Sequence, residues 1–200
     1  STMTATAKIL GLFTGEPERR WEGKEPSAIR KTRADGAVAV TLTGLSGDRQ
    51  ADRSVHGGPE MALHHYPSEH YAHWRAEFPE HDGKYRPGGF GENICSEGFT
   101  EEDLCIGDVF SAGSARLHIS QGRQPCWKIN EHTRSKRTAM EMQKLLLTGL
   151  YLAVENEGLI EAGQAIELVE RPIPGWTVAR VTRARFDGRT PLSEVADIVQ

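Results

Sequence analysis

Val109-Phe110-Ser111-Ala112-Gly113-Ser114-Ala115-Arg116-Leu117-His118-Ile119-Ser120 decides the fold class. Val109–Ser111 and Arg116–Ser120 are short strand-type runs, and Ala112-Gly113-Ser114 between them has the composition of a hairpin turn. The pattern extends outward in both directions. Ala7–Phe13 reads as a strand, and Ala37–Leu42 alternates apolar with polar residues and reads as another. Leu150–Val154 and Ala165–Val169 flank a turn region that contains Gly158 and Gly163. Ile106-Gly107-Asp108-Val109 faintly echoes Ala162-Gly163-Gln164-Ala165, each placing a turn immediately before a strand.

Two helices interrupt the strands. Pro67 takes a favoured first position, and Tyr71, Trp74 and Phe78 follow at helical spacing until Pro79 stops the run. Thr138 with Glu141 predicts a capping box, Met142, Leu145 and Leu146 follow, and Gly149 ends the helix. Many short strands with few helices predict a β-rich, mixed α+β chain closed as a barrel rather than wound from βαβ units.

The composition shifts at Arg171-Pro172-Ile173-Pro174-Gly175. This divides a barrel domain, residues 4–170, from a Pro-rich hinge and short tail, residues 171–200. In the tail, Pro191–Gln200 reads as one helix, with Thr190 as cap and Leu192, Val195 and Ile198 as its apolar stripe. It is too short to be an independent domain and is expected to pack on the barrel or on a partner.

Hydrophobic content is 38% and formal net charge is −4, which suits a folded chain and argues against nucleic acid as a partner. No apolar run approaches membrane-spanning length and no signal-peptide pattern opens the chain, so the expectation is a cytoplasmic protein without a membrane partner. Ser1-Thr2 ahead of Met3 reads as an addition and is set aside. Three widely spaced cysteines with no CxxC give neither a disulfide framework nor a zinc knuckle.

The chemistry gathers in a few runs. Arg123-Gln124-Pro125-Cys126-Trp127-Lys128 holds one cysteine between two cations, which favour thiolate over thiol. A thiolate attacks electrophiles or binds a soft metal ion. Cys95 and Cys105 have acidic neighbours, Glu97 and Asp108, and read as structural. His56-Gly57-Gly58-Pro59 offers two glycines that let backbone amides turn toward an anion. Arg49 and Arg53 just before it are suited either to a phosphate or to pairing with neighbouring aspartates.

Five of the eight histidines fall between His56 and His73. Glu69, His73 and Glu77 share a helix face, but without an HExxH pattern they read as an exposed polar face rather than a zinc site. His64 and His65 sit on a predicted strand, where one must face inward. Gly88-Gly89-Phe90-Gly91-Glu92-Asn93-Ile94 suits close approach of backbone to a ligand, with Asn93 supplying a donor and an acceptor.

Taken in order, these segments resemble the MOSC domain, named for the C-terminal part of molybdenum cofactor sulfurases. The matching residues are Gly47-Asp48 with Asp52, His56-Gly57-Gly58-Pro59, Ala62 with His64-His65-Tyr66, and Gly91-Glu92-Asn93. Ile106-Gly107-Asp108, Gln121 with Arg123, Pro125-Cys126, Lys128 and Gly149-Leu150-Tyr151 complete the set. With its Trp176-Thr177-Val178 tail the chain is similar to the bacterial stand-alone hydroxylaminopurine-resistance type. It departs from the family pattern at Gly122, where proline is usual, at Ala153, where arginine is common, and at Gln164 in place of aspartate.

The resemblance implies a distorted β-barrel that binds a molybdopterin-type molybdenum cofactor and reduces N-hydroxylated compounds such as hydroxylaminopurine. It makes Cys126 the catalytic cysteine and metal ligand, and His56, Gly57, Gly58, Arg123 and Lys128 the holders of the pterin or its phosphate. It sets Asn93 on the pterin edge. Pyridoxal phosphate is a further ligand the resemblance brings with it. No dinucleotide fingerprint, flavin signature or iron–sulfur cluster pattern is present, so electrons must come from a separate redox protein. His65 is the candidate to supply the proton with which water leaves. Two other readings stay open: a metal-independent thiol or persulfide protein using Cys126 with His132 as base, and a non-catalytic cofactor carrier. The sequence leaves the oligomeric state open, a homodimer among the options.

Overall fold

A computed structural model describes residues 5–15, 31–48, 58–124 and 137–187. The strands are β1 (Thr6–Thr14), β2 (Thr32–Arg33), β3 (Val38–Thr41), β4 (Gly44–Leu45), β5 (Leu63–Pro67), β6 (Ile94–Glu97), β7 (Val109–Ala112), β8 (Ala115–Gly122), β9 (Leu150–Asn156), β10 (Gly158–Ile160) and β11 (Ala165–Glu170). The α-helices are α1 (Glu69–Glu77), α2 (Thr138–Leu145) and α3 (Val178–Asp187). Seven strands close a barrel in the order β11-β7-β8-β9-β5-β6-β1, and β1 pairs back onto β11. All of these pairings are antiparallel except β5 with β6, so the barrel is mixed. β10, β3 and β4 form a small separate sheet.

The hairpin of β7 and β8 is as the sequence predicts, with Ala112 opposite Ala115 and Gly113 in the left-handed region at φ 54°. A Cβ on Gly113 would overlap the Leu159 carbonyl oxygen, so this turn is also pressed against β10. The barrel interior is filled by alternate residues such as Ile9, Leu63, Ile94, Leu117, Ile119, Leu150 and Leu152. Alternation puts the intervening residues outside. There a second cluster forms, in which Phe13, Tyr66, Tyr71, Trp74, Phe78, Tyr85 and Phe90 pack under α1. Phe90 meets Tyr66, Tyr85 and Trp74 edge-on with centroids 5.0, 5.8 and 5.9 Å apart.

Three local expectations differ from the structure. Pro67 ends β5 rather than opening α1, whose cap is Ser68. Thr138 is the first residue of α2, the cap is Arg137, and no capping box forms. The Thr138 hydroxyl lies instead 3.2 Å from the buried Tyr85 hydroxyl, a tertiary partner that local spacing does not reveal. Gly149 does not end α2, because Leu146 terminates it in the left-handed conformation at φ 59°. Glu69, His73 and Glu77 are exposed, as expected of a polar helix face.

Beyond the hinge, α3 lies against β8, with Val178, Ala179, Val181 and Ala184 buried. The hinge is tied down by Arg171, whose Nε and Nη2 donate to the two carboxylate oxygens of fully buried Asp108 at 3.0 and 2.8 Å. The predicted helix at Pro191–Gln200 lies outside the described residues. Among the described residues, no helix is long and apolar enough to cross a membrane.

Candidate functional site

β5 passes two histidines through one sheet, and its alternation sends them to opposite faces. His65 points into the barrel. Its Nε2 lies 2.5 Å from Ser96 Oγ, and the ring lines an apolar hollow with Phe99, Leu104, Phe110 and Leu117. Burial, then the nearby His70, pulls its pKa down to about 3, so the ring is neutral at pH 7. The structure thus places His65, the proton donor expected from the sequence, as a neutral ring facing the barrel interior.

His64 faces the other way, into a polar patch at the edge of the aromatic cluster. Its cross-strand neighbour is Tyr151, with ring centroids 5.5 Å apart. Asn93 holds its backbone on both sides: Asn93 N–H donates to the His64 carbonyl at 2.8 Å, and His64 N–H donates to Asn93 Oδ1 at 2.9 Å. Asn93 Nδ2 donates to the Phe13 carbonyl at 3.2 Å and to Asp48 Oδ2 at 2.9 Å. The amide expected to meet a pterin edge therefore spends its Nδ2 N–H groups on β1 and Asp48, and its Oδ1 accepts from β5.

Asp48 is the second knot. Its Oδ1 accepts from Gly15 N–H at 3.0 Å and from Lys31 Nζ at 2.8 Å, and both side chains of this ion pair are only 3% exposed. Asp48 thereby joins the residue after β1, the residue before β2 and the stretch after β4. Arg123, directly after β8, is a further anchor. Its N–H donates to the Gly149 carbonyl at 3.1 Å and its guanidinium to the Phe90 carbonyl at 2.8 Å. The side chain is buried, and a guanidinium fork has further N–H groups beyond the one bonded to Phe90.

Gly149 sits between these elements at φ 76°. A Cβ there would stand 2.7 Å from the His65 carbonyl oxygen, 2.8 Å from Tyr66 and 3.0 Å from His64 Nε2. Glu101 fixes it from behind, accepting the Gly149 N–H on Oε1 at 2.8 Å while Oε2 lies 2.6 Å from His70 Nε2.

Among the described residues, His64 Nε2 is buried and has no hydrogen-bond partner. Leaving such an atom unpaired costs about 1–3 kcal/mol. The ring's pKa lies well below the ordinary histidine value, first because of burial and then because of the Arg123 charge, with Lys31 adding to it. The imidazole is therefore neutral. Nε2 is left unpaired among the described residues, in the field of two cations.

Of the other expected site residues, Gly58 adopts φ 93°, ψ 170°, a conformation essentially reserved for glycine, directly before the 3₁₀ turn Pro59–Met61. His56, Gly57, Cys126 and Lys128 lie outside the described residues, as do Arg49, Arg53 and His132. Cys95 and Cys105 are buried free thiols whose pKa values are raised by burial, which suits the structural role expected of them. Among the described residues, no three His, Cys, Asp or Glu side chains are grouped to hold a metal. Of the departures from the family pattern, Gly122 has a local reason: a Cβ there would stand 2.6 Å from Thr182 Oγ1 on α3. Gln164 does the work of a turn residue, its Oε1 accepting the Glu161 N–H at 2.9 Å.

Asp48, Lys31 and Gly149 are the parts of this patch to which the sequence gives no role. Gly47-Asp48 and Gly149 stand in the ordered motif set, but nothing local says that Asp48 joins Gly15 to Lys31.

The ordered motifs and the barrel agree with a direct comparison: the MOSC domain model matches residues 52–167. The chain belongs to the MOSC family. It is 42% identical to Protein YiiM of Escherichia coli K12 over 162 residues, 81% of this chain and 72% of that one. It is 36% identical to the uncharacterized protein YflK of Bacillus subtilis 168, over 96% of this chain and 86% of that one. A protein of Gibberella moniliformis named Reductase is 36% identical over 89% of this chain, which spans only 32% of that longer protein. Crystal structures of YiiM from Geobacillus stearothermophilus and from Escherichia coli superpose with TM-scores of 0.78 and 0.76, at 29% and 30% identity. The first covers 96% of this chain and 90% of that one, the second 97% and 82%. The chain is thus a MOSC protein of the stand-alone bacterial kind, and the patch around His64 lies on the outer face of the MOSC barrel.

Proposed function

We propose that this MOSC protein binds a molybdopterin-type cofactor on the His64 face of β5 and β9 and uses it to reduce N-hydroxylated compounds, hydroxylaminopurine among them. The observation that carries the reading is the unpartnered, buried Nε2 of His64 beside Arg123 and Lys31. It combines an unpaired ring nitrogen with positive charge, and along the sequence Asp48 and Arg123 stand close to the His56-Gly57 and Pro125-Cys126 runs. This donor set fits a pterin with an anionic phosphate: ring N–H groups need an acceptor, and the phosphate needs cations. The name of the Gibberella relative is consistent with redox chemistry. Among the described residues, no observation favours pyridoxal phosphate.

In this reading Arg123 and Lys128 oppose the phosphate charge, and Gly58 with His56 and Gly57 shapes a backbone cradle for it. Cys126 is the soft sulfur ligand suited to molybdenum. The bound group supplies acceptance of the oxygen atom, and electrons are returned by a separate redox protein. Asn93 and Asp48 hold the strand and loop ends in register, so that Arg123 and His64 meet the ligand without rearrangement.

The test is elemental analysis for molybdenum on protein made in a host that synthesises the cofactor and purified without oxygen, wild type beside Cys126→Ala. Near-stoichiometric metal in the wild type and its loss in the variant is the expected result. Absence from both would replace the reading with metal-independent thiol chemistry at Cys126.

A further inference from the structure

Three buried imidazole nitrogens lack hydrogen bonds among the described residues: His64 Nε2, His65 Nδ1 and His118 Nδ1. Their surroundings separate them. His118 Nδ1 lies 3.4 Å from the Glu155 carboxylate on the outer wall, and an electrostatic contact accounts for it. His65 belongs to the interior hollow lined by Phe99, Leu104, Phe110 and Leu117, where no polar ligand fits. Only His64 stands among polar and charged groups next to a patch that a ligand is expected to use.

Its presentation is controlled in detail. The backbone is clamped by Asn93 on both its N–H and its carbonyl. The ring nitrogen Nε2 is buried and unpaired among the described residues. Gly149 is shaped to lie against Nε2, and Glu101 pins Gly149. The charges of Arg123 and Lys31 oppose protonation of the ring. In the field of two cations a lone pair, rather than a proton, suits such a nitrogen.

We propose that His64 Nε2 is a recognition acceptor that takes a hydrogen bond from an N–H of the bound pterin ring and so fixes the orientation of the cofactor. The role rests on the cofactor reading above and adds to it a residue that the ordered motifs leave without an assignment. His64 acts as a positioning residue through one directional bond. Arg123 alone attracts an anion but does not orient a ring.

The experiment compares wild type, His64→Leu and His64→Gln, each purified without oxygen from a host that makes the cofactor. Pterin per chain is read by fluorescence after oxidation. The expected result is about a tenfold lower pterin content in the leucine variant, as for one lost hydrogen bond to a ligand, and retention in the glutamine variant, whose carbonyl oxygen restores an acceptor. In 15N-histidine-labelled wild type, the His64 Nε2 resonance should be of the unprotonated type in stripped protein and move toward the hydrogen-bonded range on loading. This second readout decides the matter even where the leucine variant does not fold. Wild-type pterin content in a folded leucine variant, or a His64 resonance unmoved by loading, overturns the role of His64 and leaves the cofactor reading standing. Wild type that carries no pterin removes both.

Discussion

Asn93 and His64 are joined twice across the β5–β6 junction, Asn93 N–H to the His64 carbonyl at 2.8 Å and His64 N–H to Asn93 Oδ1 at 2.9 Å. Only a side chain that accepts on one atom and donates on another can do this while also bonding Phe13 and Asp48. Asn93→Ala strands the buried His64 N–H and the two acceptors, and should destabilise the fold by roughly 3 kcal/mol. Urea unfolding gives the value, and a loss below about 0.5 kcal/mol, the level of an ordinary surface change, would remove Asn93 from this role. Asn93→Asp is expected to be no milder, because it faces the Asp48 carboxylate.

The Lys31–Asp48 pair is almost wholly buried, with 2.8 Å between charges. Removing one partner leaves the other charged and dry. Asp48→Ala should therefore cost about 3–5 kcal/mol, and the double replacement Lys31→Met with Asp48→Leu less than the single one. A double-mutant cycle measured by chemical denaturation checks this. Equal losses in the single and double variants would mean that Asp48 acts through its bonds to Gly15 and Asn93 alone.

Acid should weaken the protein through its buried histidines. For His65 the folded pKa is about 3 and the unfolded value is about 6.5, so the unfolded state binds more protons between these limits. Stability is full above about pH 6.5 and falls by up to about 1.4 kcal/mol per pH unit per histidine as pH drops toward 3. His64, also lowered, works in the same direction, whereas buried Glu92, whose pKa is raised, works in the opposite one. The contrast between wild type and His65→Leu, unfolded at pH 7.5 and at pH 5.5, isolates the term. The variant should show the shallower dependence, and identical slopes would contradict a neutral His65.

Two glycines with similar backbone angles make a controlled comparison. Gly163, at φ 95°, has open space where a Cβ would go, whereas Gly149, at φ 76°, has His65, Tyr66 and His64 within 3.0 Å. Gly163→Ala should cost only the left-handed strain, about 1–2 kcal/mol. Gly149→Ala should cost clearly more and displace His64. Melting temperatures measure the first effect and the histidine 15N spectrum the second. Equal losses at both positions would show that the packing at Gly149 yields freely.

Much of the architecture is legible along the chain because its signals are local. Short apolar runs between glycine turns state the strands of the barrel, and Gly113 states the turn between β7 and β8. The face of α1 that carries Tyr71, Trp74 and Phe78 follows from helical spacing, and all three are buried. Other assignments fail where a side chain has two possible partners. Thr138 is spaced for a capping box, yet its hydroxyl meets Tyr85, fifty-three residues earlier in sequence.

His64 and His65 show where the division falls. The sequence by itself determines that these neighbours lie on opposite faces, because strand side chains alternate with a period of two. It also places the ordered motifs of the family around them. Which histidine enters the barrel depends on β5 pairing parallel with β6 on one side and antiparallel with β9 on the other, and on closure of β1 onto β11. Those pairings join residues far apart in the chain. Burial, the fall of the His65 pKa and the bare nitrogen of His64 all follow from them, so only the tertiary structure decided these features.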